Sequence, residues 1–194
     1  MPEKKFVSII WGYHKQFLGF SEIQNYQITP LTLALDANYD AEAFMIAPSA
    51  DITKDPHFDP RIKVTEYKNP IQMIRFLWRH RQSTVYANSV IWQNFVLVPL
   101  LCRRTIFMAH DSIARRSPLK QMIQDIVLKM YWRIRVISSG EKEFLLRRGF
   151  TENKVHIAPI AIDTSLFTDT NQHEQSQLVY LGNVTPDNDL ETIL

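Results

Sequence analysis

The chain has 194 residues, of which 45% are hydrophobic and 22% are charged, and its formal net charge is +2. This composition is typical of a folded globular protein and excludes disordered and collagen-like classes. It has only five glycines, and neither Gly-x-Gly-x-x-Gly nor Gly-x-x-x-x-Gly-Lys-Ser/Thr occurs, which argues against nicotinamide dehydrogenases and P-loop NTPases.

Strand-like and helix-like segments alternate along the chain. The strand candidates are residues 5–11, 41–47, 61–67, 84–88, 105–109, 135–138, 155–158 and 178–181. Helices are predicted within 22–38, over 71–81, after Pro118 and over 141–148. Strands separated by helices favour a mostly parallel sheet that helices cover on both faces. We therefore predict an α/β protein with a Rossmann-like, doubly wound sheet.

Capping residues mark the ends of several predicted helices. Proline stands where a first helical turn is expected at Pro30, Pro70 and Pro118. Asn69 is expected to cap the second of these helices. The run from Ser138 to Glu141 fits a capping box, and Gly149 stands where a left-handed cap ends that helix. After Pro118, apolar residues recur at helical spacing at Leu119, Met122, Ile123, Ile126, Val127 and Met130.

Charge is distributed unevenly along the chain. Residues 61–150 contain 17 basic and five acidic side chains, a balance of +12, whereas the rest of the chain has a balance of −10. Such asymmetry fits an anionic partner: nucleic acid, a lipid surface or a phosphorylated substrate. Solvated helix faces paired with the acidic flanks are an equal alternative.

Residues that follow the predicted strands are the first candidates for function, since ligands of parallel sheets bind beyond the carboxyl ends of the strands. Gly12, His14, Lys15 and Gly19 follow the first strand. Glycine lets backbone N–H groups approach a ligand closely, and His14 or Lys15 is suited to an anion. A plain turn with solvated charges explains the same residues.

His110 and Asp111 follow the predicted strand 105–109. A histidine there is able to donate a hydrogen bond to a substrate or to exchange protons near neutral pH, although a structural role is the commoner one. The other histidines lack metal-ligand spacing, and Cys102 is the single cysteine, so we predict neither a metal site nor an internal disulfide.

The last third of the chain resembles the interdomain stretch of family 4 glycosyltransferases, which have the two-domain GT-B fold. In that family a serine-initiated helix precedes a strand that ends Pro-x-Gly-Ile-Asp-x-x-x-Phe, and a strand that ends in glycine follows. Pro159, Ile162, Asp163 and Phe167 match this pattern, with Ala161 in place of its glycine. Residues 178–182, Leu-Val-Tyr-Leu-Gly, match the later strand, and His110-Asp111 is similar to the family's His-Asp.

The resemblance implies a retaining, metal-independent sugar transferase without a cofactor, whose substrate is a nucleotide-diphosphate sugar and whose acceptor is a glycan or a lipid-linked glycan. Residues 1–170 then form the acceptor-side domain, the N-terminal half of the GT-B fold, and 171–194 form a linker and the start of a donor-binding domain. By the same resemblance, His110 contacts the transferred sugar. The implied donor-phosphate residues are Gly12, Lys15, Gly19, Gly182 and Asn183, and the implied acceptor-side residues are His14, Asp111 and Arg115.

Two residues depart from the family pattern. Where the family has Arg and Lys against the diphosphate, this chain has Asn183 and Asn188, and Asp189 adds a negative charge. The alternatives are a non-catalytic glycan- or membrane-binding module and a GT-B sugar epimerase. We expect the 194 residues alone to be inactive, because half of the family's cleft would be missing.

Basic and aromatic residues alternate near Trp78 and Trp132. Arg75, Arg79 and Arg81 accompany the first, and Lys120, Lys129 and Arg133 accompany the second. They are suited to an interfacial surface, and the resemblance favours an anionic membrane over nucleic acid, because membrane-associated members of the family act on lipid-linked acceptors. Packing of both tryptophans in the core is the alternative. With no signal sequence or spanning segment recognised, we expect a cytoplasmic protein, peripheral on the inner face of the membrane.

Overall fold

Seven parallel strands form one sheet in the described part of the chain. A computed structural model describes residues 4–11, 28–46, 51–54, 58–67, 69–87, 92–109 and 118–159, all within one compact unit that spans 1–162. The strands are β1 (Lys5–Trp11), β2 (Asp40–Ile46), β3 (Lys63–Glu66), β4 (Thr84–Ala87), β5 (Arg104–Met108), β6 (Arg133–Val136) and β7 (Val155–Ile157). Their order in the sheet is β3-β2-β1-β4-β5-β6-β7.

Helices connect the strands in the described residues. They are α1 (Thr29–Asp36), α2 (Pro70–Arg79), α3 (Trp92–Leu101), α4 (Pro118–Met130) and α5 (Ser139–Arg147). All six strand pairings are parallel. The predicted α/β, Rossmann-like doubly wound sheet is therefore confirmed. None of the described helices has the length and apolar character that crossing a bilayer requires.

The sheet buries two separate hydrophobic clusters, one on each face. On the first face, Val7 and Ile9 of β1 belong to the cluster that α2, α3, α4 and α5 cover. On the second face, Ile10 packs with Leu31 of α1 and with residues of β2. Since successive side chains of a strand point to opposite faces, a run of apolar residues such as β1 suits a strand buried on both sides.

The capping residues act as the sequence predicts. The Asn69 side chain accepts a hydrogen bond from the backbone N–H of Gln72 at 2.9 Å. Ser138 Oγ accepts one from the N–H of Glu141 at 3.2 Å, whereas Glu141 Oε2 accepts one from the N–H of Ile137 at 2.8 Å, so the return bond of the predicted capping box reaches the residue before the N-cap and not Ser138 itself. Gly149 adopts a φ of 80° after α5, a conformation that glycine reaches without the steric cost of a Cβ.

Two element assignments from the sequence are wrong. β6 comprises Arg133–Val136 rather than residues 135–138, because Ser138 is already the N-cap of α5. Helix α3 was not predicted at all, since Trp92–Leu101 has its only polar residues, Gln93 and Asn94, side by side in the first turn and contains Pro99, so no polar face recurs along it to mark a helix. The predicted strand 178–181 and the whole of residues 171–194, to which the resemblance assigns a linker and the start of a second domain, lie outside the described residues.

Candidate functional site

The carboxyl edge of the sheet has one position that favours a ligand. β1 and β4 are neighbours, although the chain runs outward to β2 and β3 before it returns to β4. In doubly wound sheets such a reversal of strand order is where a ligand crevice is found, beyond the carboxyl ends of the strands. β1 ends at Trp11 and β4 ends at Ala87, and the residues that follow each of them lie outside the described part of the chain.

The predicted site residues themselves lie outside the described part of the chain. They are Gly12, His14, Lys15, Gly19, His110, Asp111, Arg115, Gly182 and Asn183. The described residues do include those that directly precede Gly12 and His110 in the chain. Trp11 ends β1 and leads to Gly12, while buried Ala109 leads to His110, and the Ala109 N–H donates to the Arg135 carbonyl at 2.8 Å.

Arg135 of β6 joins three strands near the same edge. Its Nη1 donates to the Tyr86 hydroxyl of β4 at 3.1 Å, while Nε and Nη2 donate to the carbonyls of Ala158 and Pro159 at 3.0 and 2.9 Å. The Tyr86 hydroxyl in turn donates to the sulfur of Met108 in β5 at 2.9 Å. We call Tyr86, Met108, Arg135, Ala158 and Pro159 the Arg135 cluster. In this cluster the positively charged guanidinium of Arg135 donates hydrogen bonds to uncharged groups.

A groove of about 590 Å³ extends from the Arg135 cluster along the second face of the sheet, beside α1. Arg104, Arg133 and Arg135 line it together with Ile106, Trp132 and His156. Among the described residues, no carboxylate pairs with any of the three arginines. Guanidinium groups without carboxylate partners are suited to an anionic group, and the apolar walls are suited to an uncharged body.

The alternating sequence Arg-Ile-Arg-Val of β6 is the signal in the sequence from which the lining of this groove could have been predicted. A period of two places Arg133 and Arg135 on one face and Ile134 and Val136 on the other. Both arginines line the second-face groove, and Ile134 and Val136 belong to the core of the first face, although Ile134 also borders the groove. The predicted strand 135–138 began two residues too late to show the alternation.

A second polar cluster lies toward the amino-terminal edge of the sheet. The Glu42 carboxylate accepts from Lys5 Nζ at 2.9 Å and from the Thr65 hydroxyl at 2.9 Å, and it lies 3.5 Å from Nε2 of His80. His80 is buried and stacks against Phe76, with ring centroids 4.4 Å apart. Because ligands of parallel sheets bind at the opposite edge, this cluster is best explained as a structural link between β1, β2, β3 and α2.

The burial of His80 predicts a pH dependence of stability. Burial lowers the pKa of His80 below 6.5, although the neighbouring Glu42 carboxylate acts in the opposite direction. The folded state then binds a proton less readily than the unfolded state, so the free energy of unfolding decreases as the pH falls below 6.5. Urea titrations between pH 8 and pH 5 should show this loss of stability, and His80→Gln should reduce it. The matched control is His156→Gln, at an exposed histidine, and an equal reduction there would contradict the role of His80.

Cys102 is not suited to nucleophilic chemistry. Its thiol is buried, the burial raises its pKa to about 12, and Sγ donates to the Leu77 carbonyl at 3.5 Å. A thiol becomes a nucleophile only as the thiolate. Among the residues with described positions, no group of three or more histidine, cysteine or acidic side chains is placed to hold a metal ion.

No protein-family model and no curated protein matches this sequence. The resemblance to family 4 glycosyltransferases therefore stays a prediction that rests on the motifs of the chain itself.

Proposed function

We propose that the chain is the acceptor-side domain of a retaining glycosyltransferase, residues 1–170, with the start of a donor-binding domain in 171–194. The complete enzyme would move a sugar from a nucleotide-diphosphate sugar to a glycan or lipid-linked acceptor in cell-surface polysaccharide synthesis. It would need neither a metal nor a further cofactor. Its location would be the cytoplasm or the inner face of the membrane.

The strand order is the observation that supports this proposal most directly. The strand order reverses between β1 and β4, and a doubly wound sheet binds its ligand beyond the strand ends at such a reversal. The resemblance implies that the residues directly after Trp11 contact the donor phosphates. β5 lies next to β4, and its continuation after Ala109 is the predicted His110-Asp111 pair.

The proposed roles follow from the chemistry of these side chains. Lys15 and the backbone N–H groups around Gly12 and Gly19 would stabilise the negative charge that grows on the departing diphosphate. His110 would donate a hydrogen bond to the transferred sugar. His14, Asp111 and Arg115 would face the acceptor, and Gly182 and Asn183 would approach the donor.

The test uses the whole reading frame that contains this chain. The purified protein is offered nucleotide-diphosphate sugars with oligosaccharide and lipid-linked acceptors, while release of the nucleoside diphosphate is measured and the anomeric configuration of the product is determined by NMR. We expect transfer with retention, and a loss of about 100-fold or more in His110→Ala. His57→Ala, at a histidine without a proposed role, is the matched control.

Full activity in His110→Ala would overturn the role of His110. If no donor is turned over or bound and glycan binding persists, the proposal fails and the non-catalytic glycan-binding module takes its place. The observation that favours the module is the pair Asn183 and Asn188, which stand where the family has cations against the diphosphate. Conversion of a nucleotide sugar to its epimer without an acceptor would indicate the sugar epimerase instead.

A further inference from the structure

Helix α4 exposes a continuous apolar stripe that the core does not use. Leu119, Met122, Ile126 and Met130 follow one another at intervals of three or four residues, and each is 40 to 64% exposed. Residues spaced in this way lie on one face of a helix. The buried residues of α4, Gln124, Val127 and Leu128, lie on a different face. The stripe is therefore an outward-facing surface of this helix.

The neighbouring helices extend this apolar surface. Helix α2 exposes Ile71, Ile74 and Trp78, again at intervals of three and four, and α3, which packs against both α2 and α4, exposes Leu100. Large apolar side chains that are scattered singly over a surface need no explanation, whereas a contiguous group marks an interaction site. We call the exposed apolar side chains of α2, α3 and α4 the helical surface.

The charges on the helices that form the helical surface are mostly positive. Among the described side chains of α2, α3 and α4, Asp125 is the single acidic one, and Arg148 pairs with it. Arg104, Arg133 and Arg135 line the second-face groove and do not belong to this surface. Arg75 and Arg79 are exposed on α2, and Lys120 and Lys129 are exposed on α4.

Trp78 combines both features. Its indole is 59% exposed, and the Arg81 guanidinium lies 5.1 Å from the ring centroid. Core packing of Trp78, the alternative from the sequence, is wrong. Trp132 is also exposed, with the Arg133 guanidinium 4.9 Å from its ring centroid, but it lines the second-face groove and does not belong to the helical surface.

We infer that the helical surface docks this protein on a bilayer that contains anionic lipids. Lysine and arginine would pair with the headgroups, the apolar stripes of α2 and α4 would enter the boundary with the acyl chains, and Trp78 would lie at headgroup depth. Basic side chains suit this position because their methylene stems lie along apolar surface while the charge stays in water. The inference concerns lipid binding and does not depend on sugar transfer.

Charge favours a bilayer over the other possible occupants. A symmetric contact with a second copy would bring the same basic helices together, which like charges oppose. A nucleic acid would satisfy the cations but would leave the isoleucine, leucine and methionine side chains of α2 and α4 without apolar partners. A bilayer with anionic headgroups satisfies both.

The test is co-sedimentation of the full 194-residue chain with vesicles. We expect binding to vesicles of phosphatidylcholine with phosphatidylglycerol and much weaker binding to phosphatidylcholine alone. Raising the NaCl concentration from about 0.1 M to about 1 M should release most of the protein, because the Debye length falls from about 10 Å to about 3 Å.

Two independent sets of substitutions test the two components of the surface. Met122→Gln with Ile126→Gln should lower the partition coefficient about tenfold or more, because two side chains no longer enter the apolar layer. Arg75→Gln with Lys120→Gln should lower it about fivefold for each charge removed. The matched control is Leu33→Gln in α1, on the other face of the sheet and 59% exposed, which should bind like the wild type.

The inference is overturned if the wild-type chain does not bind the anionic vesicles, or if it binds neutral vesicles equally well. Vesicle binding that neither set of substitutions weakens would also overturn the inference. Two further experiments test the other occupants. A dimer in sedimentation velocity that Ile126→Gln dissociates would assign the surface to a second copy of the chain. Displacement of the protein from vesicles by duplex DNA would assign it to a nucleic acid. Circular dichroism of each variant confirms folding, and the substituted side chains are all exposed.

Discussion

Phe107→Ala is expected to lower the free energy of unfolding by about 3–5 kcal/mol, the largest effect of any substitution considered for this protein. Phe107 of β5 is completely buried, and its ring packs against Phe95 of α3 and Tyr131 at centroid distances of 5.3 and 5.2 Å, while these two rings are 6.1 Å apart. Truncation removes one of three mutually packed rings and leaves a cavity. The neighbours are poorly placed to fill it, because the Tyr131 hydroxyl donates to the Phe95 carbonyl at 3.0 Å.

Urea unfolding followed by circular dichroism measures this effect. The matched control is Phe144→Ala in α5, which is 36% exposed and should cost about 1–2 kcal/mol, since part of its apolar area is already in contact with water. If Phe107→Ala cost no more than this control, the three rings would not form the centre of the first-face core.

Arg135→Met is expected to lower the free energy of unfolding by about 2–3 kcal/mol. The guanidinium of Arg135 donates to Tyr86, Ala158 and Pro159, so it connects β6 with β4 and with the chain that leaves β7. Hydrogen bonds from a charged donor contribute about 1.5–3 kcal/mol each when little water reaches them. Arg135 is half-buried, and water replaces some of what is lost, so the total stays below the sum of three such bonds.

Arg133→Met is the matched control for Arg135→Met, because Arg133 lies two residues earlier on the same strand and faces the same groove. Its Nη1 donates only to the Asn153 carbonyl, and we expect a loss of about 1 kcal/mol or less. Thermal and urea unfolding of the two variants give the comparison. Equal losses would mean that the positive charge in the groove, and not the three hydrogen bonds of Arg135, sets the stability.

The sequence predicts the sheet well where local signals are strong. The alternation of strands and helices predicts the parallel α/β fold, and the caps at Asn69 and Ser138 form the hydrogen bonds that their positions indicate. Helix α3 could not be predicted in the same way. It packs between α2 and α4 and has only Gln93 and Asn94 as polar residues, adjacent in its first turn, so its sequence has no helical period of polar residues.

Helix α4 shows what the periodicity of apolar residues in a sequence does not determine. Its apolar residues predict an amphipathic helix, and the helix is present, but apolar spacing does not say which stripe faces the sheet. Val127 and Leu128 belong to the core, whereas Met122 and Ile126 remain exposed. The sequence contains two adjacent apolar stripes, and only the packing against the sheet separates them.

The candidate site, too, could be predicted from the sequence only in part. The strand ends are where the sequence predicts them at Trp11 and near Ala109, so the residues that follow keep their predicted place in the chain order. The contact between Arg135 and Tyr86 was beyond prediction, because it joins residues of β6 and β4 across the intervening β5. Such contacts depend on strand order, which local patterns do not contain.

The interior position of β1 in the sheet has a consequence for synthesis of the chain. β1 pairs with β2 on one side and with β4 on the other, and residues 12–83 separate it from β4. At about 5–20 residues per second, roughly 4–15 s pass between synthesis of β1 and of β4. During that time one edge of β1 lacks its native partner, and an unpaired strand edge is a template for wrong pairing. For β5, β6 and β7, by contrast, the strand that each pairs with has been synthesised immediately before it.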